Sequence, residues 1–173
     1  MTEYAENDLV AHAVQLLNGP PYFNVATESE GQPWNTPVWA ARDQHLNLYW
    51  SSWVKAVHSQ NIAQNPRAFL TLFDSTRKRG TNNLRCLYLQ CSAVVVNDVE
   101  EADNAFQLLY PDETLHLQDF LGEGQKRFYR ATPVKAWLNC LSERQLTPST
   151  IKMREEVPLD ALAAAARLHP AAP

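Results

Sequence analysis

Apolar positions recur at helical spacing near the start of the chain. Leu9, Ala13, Leu16 and Leu17 share one stripe, and Asn18-Gly19-Pro20-Pro21 ends it sharply. Strand formers then dominate from Tyr22 to Thr27, and Glu30-Gly31 supplies a turn. A second strand is predicted from about Trp34 to Arg42, with Pro37 inside it. Proline cannot donate to a ladder, so this strand belongs at a sheet edge or a bulge. Alternation resumes over Leu46–Ser51. Ser51-Ser52 offers a helix N-cap, predicting a helix from Trp53 to Gln64 that Asn65-Pro66 stops. Ala68–Phe73 is apolar at nearly every position, the pattern of a barrel wall covered on both faces. Leu84–Val96 reads as a long strand with Leu87, Leu89, Cys91, Ala93 and Val95 on one face.

Further on, Asp98 and Glu101 have capping-box spacing ahead of a helical stripe, Val99, Ala102, Phe106 and Leu109, which Pro111 closes. A second short helix is expected over Thr114–Leu121. Arg127–Leu138 returns to strand, interrupted by Pro133, and Leu159–Leu168 forms an Ala-rich helix. Six strands with inserted helices predict a mainly β, α+β fold: a six-stranded antiparallel barrel with peripheral helices. We expect one domain over residues 1–173, with its core at about 20–140 and a C-terminal extension from 141 to 173.

Composition narrows the function classes. The 173 residues are 45% hydrophobic and 20% charged, ordinary for a globular protein. A net charge of −4 gives no overall field favouring nucleic acid. No apolar run approaches the ~20 residues that cross a bilayer, and the acidic start does not resemble a signal peptide. Three widely spaced cysteines suit packing rather than a disulfide framework, so a cytoplasmic protein is expected. No His, Cys and carboxylate cluster has metal-ligand spacing, and no nucleophile elbow occurs.

The candidate chemistry gathers where a strand gives way to a helix, Tyr49-Trp50-Ser51-Ser52-Trp53-Val54-Lys55-Ala56-Val57-His58. A helix N-terminus carries free amides and partial positive charge, which suit a phosphate. Ser51, Ser52, Lys55 and His58 would then converge on one anion. The plainer alternative makes Ser52 a cap and leaves Lys55 and His58 in water. Arg77-Lys78-Arg79 is either a solvated loop feature or a further anion contact. Five tryptophans (34, 39, 50, 53 and 137) are core or interface anchors unless one stacks on a flat ring, with Trp53 and Trp137 the stronger candidates.

The run from His58 to Ser75, with Asn61-Ile62, Asn65-Pro66-Arg67 and an apolar strand before Asp74, resembles the pyridoxamine 5′-phosphate oxidase-like family. The likeness continues through Gly80-Thr81, Leu87–Ala93 and Arg127–Pro133 to Trp137, covering roughly residues 20–140. It implies a split-barrel homodimer that holds FMN in the groove between subunits. By position, Asn35, Thr36, Pro37 and Val38 would line the isoalloxazine. Ser51 and Ser52 would meet the phosphate or the ribityl chain, and His58 would take the place of a phosphate-binding lysine. Val57 stands where a second basic residue is common, leaving Lys55, Arg77 and Arg79 to compensate. Trp137 would approach the flavin. The Arg–His pair by which pyridoxamine phosphate oxidases hold substrate phosphate has no match after Trp137. The resemblance thus implies an FMN-dependent oxidoreductase acting on another small molecule. The alternatives are a non-enzymatic flavin or tetrapyrrole carrier or sensor, or an enzyme using deazaflavin or haem.

Overall fold

The computed structural model describes residues 6–19, 22–73, 85–111, 114–139 and 154–169. Its elements in chain order are α1 (Glu6–Leu17), β1 (Tyr22–Ser29), β2 (Gln32–Trp39), β3 (Ala41–Arg42), β4 (Leu48–Trp53), α2 (Val57–Gln64), β5 (Arg67–Phe73), β6 (Cys86–Val95) and α3 (Val99–Leu109). A single 3-10 turn (Leu117–Phe120), β7 (Lys126–Asn139), β8 (Arg154–Val157) and α4 (Leu159–Leu168) follow. The strands form one sheet in the order β2-β1-β5-β6-β7-β4-β3, with β8 added alongside β7. All pairings are antiparallel, and the sheet curls into a half-barrel.

The mainly β, α+β expectation holds, with eight strands among the described residues in place of six. The second expected strand breaks at Ala40 into β2 and β3, and β8 was not foreseen. Pro37 sits in the edge strand β2, where its missing N–H costs no ladder bond. Glu30 and Gly31 both have positive φ, 53° and 77°, as the tight β1–β2 hairpin requires. In β7 the register slips: Gln90 pairs with Lys135, whereas Cys91 pairs with Pro133, so Val134 bulges out. The bulge changes the phase of alternation, letting Tyr129 and Ala131 before it and Ala136 and Leu138 after it all face the core.

That main core fills the inside of the half-barrel, from Phe23 and Val25 through Leu70, Leu89 and Ala93 to Leu138. Helices α1 and α4 close it, with Ala13, Leu162 and Ala166 fully buried. Val10, Ala13, Val14, Leu16 and Leu17 of α1, together with Val157, Leu162 and Ala166, belong to this same cluster. Buried Arg42 fastens this closure. Its Nη2 donates to Asn18 Oδ1 (2.7 Å) and to the main-chain oxygens of Ala166 (3.2 Å) and His169 (2.6 Å). A smaller core on the opposite side of β4 and β7 packs Tyr49, Phe120 and Phe128 beneath α3. Asp98 caps α3 by accepting from the Glu101 amide (2.9 Å), as the sequence predicts.

Candidate functional site

Strand β4 sorts the first candidates by alternation. Leu48 and Trp50 enter the main core, while Tyr49 enters the smaller one. Ser51 shares the Tyr49 face and lies 2.6 Å from the Tyr110 hydroxyl. Half-buried Ser52 points the other way, since strand neighbours face opposite sides. The two hydroxyls therefore do not converge: Ser51 serves the α3 side, and Ser52 faces the side where Trp50 lies.

The predicted helix start is also corrected. Residues 51–53 stay in the ladder, with Ser52 opposite Arg127 and Trp53 opposite Lys126. Continued pairing with β7 outweighs the local capping preference of Ser52. A turn follows, fixed by the Val54 amide on Gln125 O (2.9 Å) and the Ala56 amide on Trp53 O (3.0 Å). Helix α2 begins at Val57, and its N-cap, Ala56, supplies no side-chain acceptor. Lys55 is thus an exposed residue of the turn, two positions before the helix, and not part of its first turn.

The opening turn of α2 is nevertheless buried. His58 and Ser59 are only 6% and 3% exposed, and Ile62 one turn on enters the main core. Asn61 Nδ2 donates to buried Thr27 (3.1 Å), fixing α2 across β1. Burial lowers the His58 pKa below 6.5, which favours the neutral imidazole, and His58 Nε2 has no hydrogen-bond partner. Nearby, Trp50 stacks on Tyr129 (centroids 5.7 Å apart, planes 18° apart), and the Trp50 Nε1 donor is likewise buried without a partner. Burial raises the Tyr129 pKa, and the buried Ser59 hydroxyl is a third polar group without a hydrogen-bond partner. An uncapped helix start beside the orphaned Trp50 donor and an imidazole nitrogen that donates in one of its tautomers is chemically suited to an acceptor-rich group.

The depressed His58 pKa has a measurable consequence. In the unfolded chain the ring gains its proton near pH 6.5, whereas in the folded protein it resists. Stability is therefore expected to fall as pH drops below 6.5. His58→Gln should flatten that decline in urea unfolding at stepped pH. His12, whose pKa burial also lowers, acts in the same direction, so the difference between wild type and variant isolates His58.

The remaining candidates lie on β2 and β7. Asn35 and Pro37 are exposed on the outer face of the sheet, while Thr36 and Val38 face inward. Thr36 Oγ1 accepts from Trp34 Nε1 (2.7 Å), and Val38 is buried in the main core. Trp137 is half-buried on the outer face. One unbroken cross-strand row carries Pro37, Asn24, Thr71, Tyr88 and Trp137. Four strand spacings separate Pro37 from Trp137, roughly 19 Å along the sheet at ~4.8 Å per strand. Within one chain, then, the candidates form separate groups: Ser52 and His58 near the start of α2, Asn35 and Pro37 at the β2 edge, and Trp137 across the sheet. Arg77 and Arg79 lie outside the described residues.

Sequence reasoning missed three residues around Trp137. Phe69 stacks near it (6.3 Å, 21°) and also meets Tyr88 (6.2 Å), while the Arg154 guanidinium lies 3.8 Å from the Tyr88 ring centroid. Phe69 and Tyr88 were visible as aromatics on expected strands, but their outward placement came only with the structure. Arg154 carried no signal, because its strand was not recognised. Among the described residues no cluster of His, Cys, Asp and Glu has metal-binding geometry, and no helix is long and apolar enough to cross a membrane.

Known structures share this architecture. A haem-binding protein from Mycobacterium smegmatis aligns over 95% of this chain and 62% of its own, at 13% identity and a TM-score of 0.70. A protein of unknown function from Agrobacterium tumefaciens aligns over 86% and 62%, at 19% identity and 0.61. An FAD-binding protein from Mesorhizobium loti aligns over 73% and 90%, at 17% identity and 0.57. The chain thus spans about three fifths of the first two proteins. No curated protein is matched by its sequence. The sequence profile described as pyridoxamine 5′-phosphate oxidase matches residues 9–140, well over half of the chain, and this protein therefore belongs to that family.

Proposed function

We propose that the protein binds FMN in a groove completed by a second copy of the chain and acts as an FMN-dependent oxidoreductase on a small molecule. The observation that carries this reading is the buried, unpartnered His58 Nε2 in the first turn of an uncapped helix, with Ser52 on the neighbouring strand end. These groups suit the phosphate of a flavin mononucleotide. Helix amides and a hydroxyl donate to phosphate oxygens, and exposed Lys55 adds positive charge nearby. A neutral imidazole contributes one N–H donor, so Lys55, and Arg77 or Arg79 from their loop, would supply the charge that a lysine at position 58 would have given.

The separation between the β2 edge and Trp137 supports a dimer. A flavin held near Asn35 and Pro37 of one copy would meet Trp137 from the other. The outer sheet face also exposes Tyr22 (57%), Trp39 (56%) and Phe73 (40%), an apolar area suited to contact with another surface. A bound flavin supplies two-electron chemistry that protein side chains lack. The chain's own part is to anchor the phosphate at α2, orient the rings along β2, and exclude water with the aromatics of the opposing copy.

The double variant Lys55→Ala/His58→Ala is expected to weaken FMN binding by about 1–3 kcal/mol, the loss typical of charged and buried hydrogen bonds. Fluorescence titration of free FMN measures it, and unchanged affinity would overturn the phosphate assignment. Light scattering reads the dimer, and a monomer would remove half the groove. A second reading, a non-enzymatic tetrapyrrole- or flavin-binding protein, draws support from the likeness to the mycobacterial haem-binding protein. A Soret band on adding haem, with no flavin retained, would favour it. Bleaching of bound FMN by NAD(P)H, with turnover, would favour the oxidoreductase.

A further inference from the structure

We propose that Phe69, Tyr88, Trp137 and Arg154 form a substrate shelf that selects a planar ring carrying an anionic group such as a carboxylate. The inference rests on the flavin reading above, because it is Trp137's approach to the flavin that brings the shelf to the reacting face. Phe69 and Trp137 lie nearly parallel, with planes 21° apart, and Tyr88 adjoins Phe69 at 6.2 Å. All three rings are half-buried on the outer face. Phe69 and Trp137 make a nearly flat apolar floor, with Tyr88 tilted 48° to Phe69 at its edge, and on that floor a planar molecule gains stacking area that a bulky aliphatic one does not.

The charge on this floor comes from β8. Arg154 pairs in register with Asn139, and its guanidinium crosses β7 to lie over Tyr88 at 3.8 Å. A guanidinium stacked on a ring keeps its N–H edge available, and that edge matches the two oxygens of a carboxylate. Arg154 has no ion pair with a carboxylate among the described residues. Exposed Arg67 and Lys135 lie on the same face of β5 and β7. The opposing charge is Glu156, which sits in the Trp137 row and repels an anion there. An anionic group is therefore directed to the Arg154 end of the shelf, with the ring lying over Phe69 and Trp137.

The test uses the full-length FMN-loaded protein and three probes: benzoate, benzamide and acetate, titrated by calorimetry and by the perturbation of flavin absorbance. Benzoate is expected to bind at least about tenfold tighter than the other two, one charged hydrogen-bonding contact being worth that much. Arg154→Gln should abolish the preference for benzoate over benzamide, and Arg154→Lys should restore part of it. Equal binding of benzoate and benzamide, or a preference that survives Arg154→Gln, would overturn the proposal. So would loss of FMN from Arg154→Gln, which would assign the arginine to the cofactor. Failure of the wild-type protein to retain FMN is a separate result, which removes the flavin reading and this inference with it.

Discussion

Replacing Arg42 with alanine is expected to lower stability by about 3 kcal/mol, the scale seen when one member of a buried charged hydrogen-bond set is removed. One guanidinium nitrogen serves three acceptors: the Asn18 side chain at the end of α1, and the Ala166 and His169 carbonyls at the end of α4. Those carbonyls close the C-terminal turn of α4, where a cation is also favoured by the helix dipole. Without the arginine, Asn18 Nδ2 still donates to His169 O (2.9 Å), but the Ala166 carbonyl loses this charged donor. Urea unfolding should show the midpoint falling by about 1–3 M for a typical slope. Trypsin should also reach Arg167 in α4 sooner, because local opening of that helix becomes easier. A change below about 1 kcal/mol would mean that water replaces the arginine at little cost.

Leu162→Ala is expected to have a comparable effect, about 2–5 kcal/mol. Leu162 is fully buried in the main core, together with Ala166 and Val157. Truncation leaves a cavity between α4 and the barrel. The same substitution at exposed Leu168 (79%) is the control, and should stay within about 0.5 kcal/mol. Equal effects at both positions would contradict the placement of α4 as part of the core.

Much of the architecture was legible in the chain. Strands β5 and β6 lie where expected, and β6 alternates as read; β5, expected to be covered on both faces, alternates instead, with Ala68, Leu70 and Leu72 buried and Arg67 and Phe73 exposed. Helix α3 was equally plain, since Asp98 caps it from the predicted position. The start of α2 was misread because Ser52 offers a cap locally while β7 offers it a ladder partner, and a nonlocal partner leaves no mark in a short window. Strand β8 was invisible for a related reason. Three of its four residues, Arg154, Glu155 and Glu156, are charged, and only Val157 is buried.

The candidate site divides along the same line. His58 was found from its place near a strand-to-helix junction and Trp137 as a candidate stacking ring, and the structure gives each a distinctive setting: one buried with an orphaned nitrogen, the other against a second ring. Ser51 and Ser52 looked equivalent in the sequence, yet strand geometry sends them to opposite sides. The dispersal of candidates across the sheet could not be read from spacing, because it depends on which strands become neighbours.

The bulge at Val134 bears on which length changes this chain can absorb. Every other interior residue of β7 holds a defined place opposite a partner, so deleting it would turn the following side chains inside out. Val134 faces no partner, and its loss would leave both halves of the strand matched to β6 as they are now. Among natural variants differing by one residue in this stretch, the gap or insertion should fall beside Pro133, where the alternation already shifts phase.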